Sequence, residues 1–259
     1  MVKTTPKAYP LYPNLGYWFL IIILLVFGGF YHTYFSVFFE PKATIIHVHF
    51  GLMTAWVVML IVQPFLIKYK KKAWHRRVGK VSYVLVPLLL ISAFLMTKHG
   101  YFVYMDLIAK EAVKGIPKYT QEELLHLSAK YQALPMFYLF WLGLFYTLAI
   151  LNRKSTYVHA RYMLAAALTV LGPTIDRIWF MVVGISIFPF GIPVETFAFV
   201  LIIILLTYLL WLDNKAGRNT KTLEICLVIY SISQGLYFIA QDMVWWEQFM
   251  TLIMGAESL

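Results

Sequence analysis

Apolar residues in this chain gather into seven long blocks, separated by short stretches rich in charged or turn-forming residues. The blocks cover residues 15–35, 43–67, 81–98, 133–151, 157–183, 194–212 and 222–241. A membrane-spanning helix needs about 20 mostly apolar residues, and each block is close to that length or beyond it. The pattern predicts an all-α fold: one polytopic membrane helix bundle over 1–259, with seven transmembrane helices. Gly172, Pro173, Asp176 and Arg177 interrupt the fifth block. The proline is expected to kink that helix rather than end it. Lys3 and Lys7 precede the first block as they would in a signal peptide, but Tyr31-His32-Thr33-Tyr34 follows it and no small-residue cleavage site does. The first block therefore reads as a retained helix.

One connection is long. Residues 99–132 carry both charge signs and are expected outside the bilayer. Thr120 followed by Glu123 has capping-box spacing, which predicts a short amphipathic helix over 121–131. Its Leu124, Leu125 and Leu127 would lie on the membrane surface or over the mouth of the bundle. Trp18, Trp74, Trp245 and Trp246 fall near the expected interfaces.

Composition agrees with a bilayer as solvent. Apolar residues make up 61% and charged residues 13% of the 259. A soluble domain usually carries about 25% charged residues. The lone cysteine, Cys226, lies in an apolar run and is expected to be packing only, since one thiol forms no internal disulfide.

The formal charge of +10 then sets an orientation. With the N-terminus in the cytoplasm and the C-terminus outside, 15 Lys and Arg fall on the inner side and 6 on the outer, with Arg177 left near the membrane. That asymmetry follows the positive-inside rule and makes anionic lipid headgroups on the cytoplasmic side expected partners; the location expected, together with the resemblance given below, is a bacterial inner membrane. No aromatic-interleaved basic groove is visible, so nucleic acid is not expected as a partner.

Candidate chemistry lies in polar side chains at hydrocarbon depth, where they are costly and usually face the bundle interior. His47 and His49 would sit roughly 6–9 Å below the outer boundary. Two residues apart on a helix they point about 200° apart, so only one can face a given pocket. His49, Trp56 and Gln63, spaced by seven, form a polar-aromatic stripe expected to face the core. Asp176 and Arg177 return near the same boundary, where they are expected either to line the pocket or to form an internal ion pair with each other or with a neighbouring helix; Gln241 and Asp242 lie near it too, while Ser231 and Gln234 share a face with Gln241. His32, His99 and Glu195 are further candidates for this outer pocket. The inner face carries a second constellation. His75, Arg76 and Arg77 lie in a basic loop, and His159 and Arg161 open the fifth helix. The arginines are expected to form a rim for lipid headgroups or anions. The histidines are candidates for metal, haem or quinone binding.

At these residues the chain resembles a group of uncharacterised bacterial multi-pass membrane proteins. In that group an HRxxG loop follows a helix ending in Gln and basic residues, matched here by Gln63 and His75-Arg76-Arg77-Val78-Gly79. A later helix opens with His, Arg and Met, matched by His159, Arg161 and Met163, and a late polar pair matches Asp176-Arg177. The resemblance covers about half the chain and implies a shared architecture. A looser similarity is to transmembrane b-type cytochromes, which hold haems with histidines near both membrane faces. This chain differs from them in carrying His75 in a loop.

Three readings follow. The first is a redox protein binding haem b or another metal through His47 or His49 and through His75 and His159, with quinone as a further ligand. The second is a transporter or channel with its substrate site at the kinked fifth helix. The third is an accessory subunit of a larger membrane complex. No exposed nucleophile motif, P-loop or HExxH helix is present, and a zinc-dependent intramembrane hydrolase would have to use the outer histidines.

Overall fold

A computed structural model of the chain describes residues 12, 14–113 and 119–256. Lys3, Lys7, Lys114 and Lys118, which entered the charge count, lie outside the described residues. Among the described residues the fold is all-α apart from one two-stranded hairpin, and seven helical segments are long and apolar enough to cross a membrane.

The first span joins α1 (Leu15–Phe30) to a π-helical turn at Tyr31–Phe35. The second is α2 (Thr44–Lys68) and the third α3 (Lys72–Val113). The fourth begins at α4 (Gln121–Tyr131), turns at Gln132 and continues as α5 (Ala133–Leu151). The fifth is broken into α6 (Thr156–Leu168), α7 (Leu171–Arg177) and a π turn at Ile178–Val183. The hairpin pairs β1 (Ile187–Phe188) with β2 (Ile192–Pro193). Then come α8 (Glu195–Lys215), α9 (Lys221–Ala240) and a final α10 (Val244–Met254).

Two boundaries differ from the hydropathy pattern. The third helix does not stop at 81 and 98. It runs 42 residues, and its start takes in His75 and the whole HRxxG segment. Hydropathy falls where charges begin, but helix propensity does not. Lys, Arg, Glu and Met are good helix formers, and Asp106 and Lys110 form an i,i+4 pair in the extension. At about 1.5 Å per residue the helix is far longer than a bilayer core, so it projects past it. The long connection over 99–132 is therefore helical up to residue 113. The helix over 121–131 matches the expectation: Thr120 accepts from the Glu123 backbone N–H, and Glu123 accepts from the Thr120 N–H.

The fifth span is the axis of the bundle, with 56% of its most apolar window buried, more than any other span. α6 packs on α5 and α9, and α7 on α1 and α8. Its small residues Ala165, Ala166 and Ala167 are fully buried and let neighbouring helices close in. Around it stand Trp56, Trp141, Phe145 and Tyr230, all fully buried. Cys226 belongs to this core. The break follows from Pro173, which cannot donate to the preceding turn. Thr169 donates its hydroxyl to Ala166 O at 2.7 Å, and Thr174 donates to the Val170 and Leu171 carbonyls. Hydroxyls thus occupy carbonyls at the break.

α4 and α10 lie together at one end. Trp246 donates its indole N–H to Ala129 O at 3.0 Å, and His126 pairs with Glu247. Lys130 pairs with Asp242. Trp18, Trp74 and Trp245 are more than half exposed, whereas Trp246 is buried in this contact.

The approach of α1 to α7 depends on Gly29. A Cβ there would lie 2.4 Å from the Thr174 carbonyl oxygen, a backbone atom that cannot swing away. Gly28, one residue earlier, has open space. Gly29→Ala is expected to cost about 1–3 kcal/mol of stability. In thermal unfolding in detergent it should lower Tm clearly, while Gly28→Ala leaves Tm within a degree or so of wild type.

Candidate functional site

Buried polar groups cluster at two ends of the bundle. One end gathers α7, the start of α8 and the end of α9. Tyr138 on α5 donates its hydroxyl to Asp176 Oδ2 at 2.6 Å, and Tyr237 on α9 donates to Glu195 Oε1 at 2.9 Å. The two pairs lie close enough to interact electrostatically. Gly172 makes the first pair possible: a Cβ there would fall 2.2 Å from the Tyr138 ring, so the ring crosses the helix only over a glycine. Asp176 is 4% exposed, and its other oxygen, Oδ1, has no hydrogen-bond partner.

Asp176 and Arg177, adjacent in sequence, take different partners. Arg177 donates to Pro173 O and lies over the Phe30 ring at 4.5 Å. It is also within electrostatic reach of His49. Ser92 donates its hydroxyl proton to Leu89 O, so His49 Nδ1–H must donate to Ser92 Oγ, at 3.0 Å. That leaves His49 Nε2 with its lone pair when the ring is neutral.

His47 and His49 diverge as the helix geometry requires. His47 Nδ1 shares a proton with the Tyr34 hydroxyl on the first span, while His49 turns to α3. They do not form one ligand pair. His32 is exposed, and Gln241 is half-buried at the C-terminal cap of α9. Of the stripe of His49, Trp56 and Gln63, the first and last meet α3, while Trp56 lies edge-on to Tyr146 of α5. Trp56 is fully buried with its indole N–H unpaired, and Gln63 donates to the His75 carbonyl at 3.3 Å.

The other end holds a buried ion network. Arg161 donates through Nε (2.8 Å) and Nη2 (2.5 Å) to Asp213 Oδ2 on α8. Arg218 donates to Asp213 Oδ1 at 3.1 Å, and the Tyr12 hydroxyl to Oδ2 at 3.1 Å. Burial, reinforced by the Asp213 carboxylate, pushes the Tyr12 hydroxyl well above the ordinary phenol range. Arg161 was expected on a lipid-facing rim; at 2% exposure it is instead the buried partner of Asp213. Arg76 and Arg77 are exposed, Arg77 lying against the Trp74 ring. Asp213 is the functional-looking residue that sequence reading passed over. Its signal was an acid placed before the basic segment after the sixth span, where an arginine of the fifth span lies at similar depth.

Beside this network the structure brings His75 and His159 within electrostatic range of each other. His159 Nδ1 sits 2.8 Å from Ala149 O, which can only accept, so that nitrogen carries the proton. The Nδ1 of His75 is buried without a partner, as is Gln63 Oε1. Among the described residues no group of three or more His, Cys, Asp or Glu is arranged to hold a metal ion.

Comparison with protein-family models, with curated proteins and with solved structures finds no match to this chain.

Removing one side of a buried ion pair strands the other, at a cost of about 3–5 kcal/mol. Asp213→Ala is expected to destabilise by that order in denaturant unfolding in detergent. Arg218→Ala removes a partner that is one-third exposed and should cost about 1 kcal/mol or less. Equal losses for the two variants would contradict the central role of the Arg161–Asp213 pair.

Proposed function

We propose that the chain is a membrane transporter whose substrate or coupling-ion site lies at the broken fifth span. The observation that carries this reading is the buried Asp176 carboxylate, whose Oδ1 has no partner, on the short helix that follows the break. Discontinuous spans are where transporters bind, because the interruption frees backbone and side-chain groups in the bundle interior. Asp176, Glu195 and the hydroxyls of Tyr138 and Tyr237 offer an oxygen-rich surface. That chemistry suits a cation, or a substrate with an ammonium or other hydrogen-bond-donating group. In the conformer described Asp176 is almost wholly buried. The π turn at Ile178–Val183, ending at left-handed Gly184, supplies a segment able to move with α7.

The orientation is part of this proposal. Every intervening segment on the Tyr12 side carries several Lys or Arg, which supports the N-terminus in the cytoplasm, the C-terminus outside and the acidic site in the outer half.

A second reading is favoured by one observation at the other end. With Nδ1–H held by Ala149 O, His159 presents Nε2 as an acceptor, the arrangement that orients histidine toward haem iron or another metal. His75 would be its partner, and quinone a further occupant. A bound haem would supply one-electron chemistry, and the two imidazoles would hold and orient it. Purified protein with a Soret band lost in His159→Ala would support this reading; no Soret band and no stoichiometric metal would remove it.

The transport reading is tested on proteoliposomes by measuring charge movement for a panel of monovalent cations and primary amines. At least one should give a current that Asp176→Asn lowers about tenfold or more. No current with any of them, or one unaltered by Asp176→Asn, would contradict it. A tag ahead of residue 12 should be reachable from outside intact cells only after permeabilisation.

A further inference from the structure

The basic end of the bundle carries a patch of positive charge that no acid balances. No Asp or Glu occurs between Glu40 and Asp106, or between Glu123 and Asp176. Those stretches supply α2, most of α3, α5 and α6. Asp213 lies at the same end, but Arg161 and Arg218 already cover it. Arg77 is likewise engaged, lying against the Trp74 ring.

The fold gathers the remaining cations from two segments distant in sequence. Because α3 is helical from Lys72, Arg76, Lys80 and Tyr83 fall at i, i+4 and i+7 and share one face. Arg153, on the connection between α5 and α6, lies over the Tyr83 ring at 5.9 Å, and Lys154 follows it. Arg76, Lys80, Arg153 and Lys154 are all exposed, and none forms an ion pair among the described residues. Like charges one helical turn apart repel, so Arg76 and Lys80 do nothing for the helix that carries them.

The same face of α3 turns apolar next to the charges. Val84, Leu88 and Ile91 continue the stripe of Arg76 and Lys80 and are exposed, as is Leu151 at the end of α5. A cationic head with an apolar track running on from it, and a tyrosine at the junction, matches the profile of a phospholipid. Its phosphate sits at the membrane boundary and its acyl chains run along the span.

We propose that this face binds one anionic phospholipid, its phosphate held by Arg76, Lys80, Arg153 and Lys154 around Tyr83, and its acyl chains lying on Val84, Leu88 and Leu151. Charge selects the headgroup: a choline or ethanolamine would bring a further cation into a patch that already holds four. The apolar track selects a lipid over a soluble phosphate, which would leave that track bare. The site uses none of the groups around Asp176 and does not depend on which leaflet it faces, so it is independent of the transport reading.

The test titrates the full-length protein in detergent with three probes, and native mass spectrometry counts what is bound. The probes are phosphatidylglycerol, phosphatidylcholine with the same acyl chains, and glycerol phosphate as a headgroup without tails. Phosphatidylglycerol should form a one-to-one complex and raise Tm, while the other two bind at least about tenfold more weakly. Arg76→Gln and Arg153→Gln should each weaken phosphatidylglycerol about fivefold, and together on the order of 25-fold. Lys221→Gln, at an exposed lysine at the start of α9, should leave its affinity unchanged. All three positions are exposed, so Tm without lipid should stay near wild type. Equal binding of the two lipids would mean acyl packing alone and would overturn the proposal. So would equal weakening by Lys221→Gln and Arg153→Gln, which would mean diffuse attraction, or glycerol phosphate binding as tightly as phosphatidylglycerol, which would mean a site for a soluble anion.

Discussion

Hydrocarbon offers no hydrogen bonds, and that single constraint organises this molecule. Backbone groups must be satisfied within the segment that crosses, which makes every span helical. Buried side chains face the same demand and meet it in relays. Trp141 donates to Ser233, which passes its own proton to the Ile229 carbonyl. Ser82 donates to Gly79 O, so the Tyr146 hydroxyl donates to Ser82. Tyr230 reaches the Ala165 carbonyl on the central span. The charged version of the same rule is Asp213, whose two oxygens are covered by Arg161, Arg218 and Tyr12. That network ties the chain ahead of α1 to the fifth and sixth spans.

Against this background the unsatisfied groups stand out. Among the described residues Asp176 Oδ1, Gln234 Nε2 and His75 Nδ1 are buried without partners, and so are Thr33 Oγ1, Trp56 Nε1, Gln63 Oε1 and Ser128 Oγ. The first three lie on the broken span, beside a groove between α8 and α9, and at the basic end. A buried polar atom without a protein partner calls for an explanation of its own, and an ordered water is one.

Much of the fold was legible because the bilayer imposes a length and a polarity on each span. The seven blocks and the capped helix at Gln121–Tyr131 follow from local signals, whereas Pro173 was expected only to kink the fifth helix, which is in fact interrupted between Leu168 and Leu171. The length of α3 was not legible, since hydropathy marks where a helix leaves the hydrocarbon and not where it ends. The site was half legible. Depth along a helix put Asp176 and Glu195 near one boundary and His75 and His159 near the other. Which helices are neighbours is a long-range property, so the pairing of Tyr138 with Asp176 and of Arg161 with Asp213 had no local signature. Adjacency in sequence says little about partners: Asp176 and Arg177 are neighbours in the chain but point to different helices, about 100° apart on a helical wheel.

Whether the short helix after the break faces a path open to water is tested most directly by cysteine accessibility. Cys226 is fully buried and serves as the unreactive internal reference. Asp176→Cys and Tyr138→Cys are treated in membranes with a membrane-impermeant maleimide from each side. A transporter with its site in the broken span should label both from the outer side much faster than Cys226. Folded protein in which both positions are as unreactive as Cys226 from either side would mean that Asp176 is a sealed structural group, and the transport account would fail.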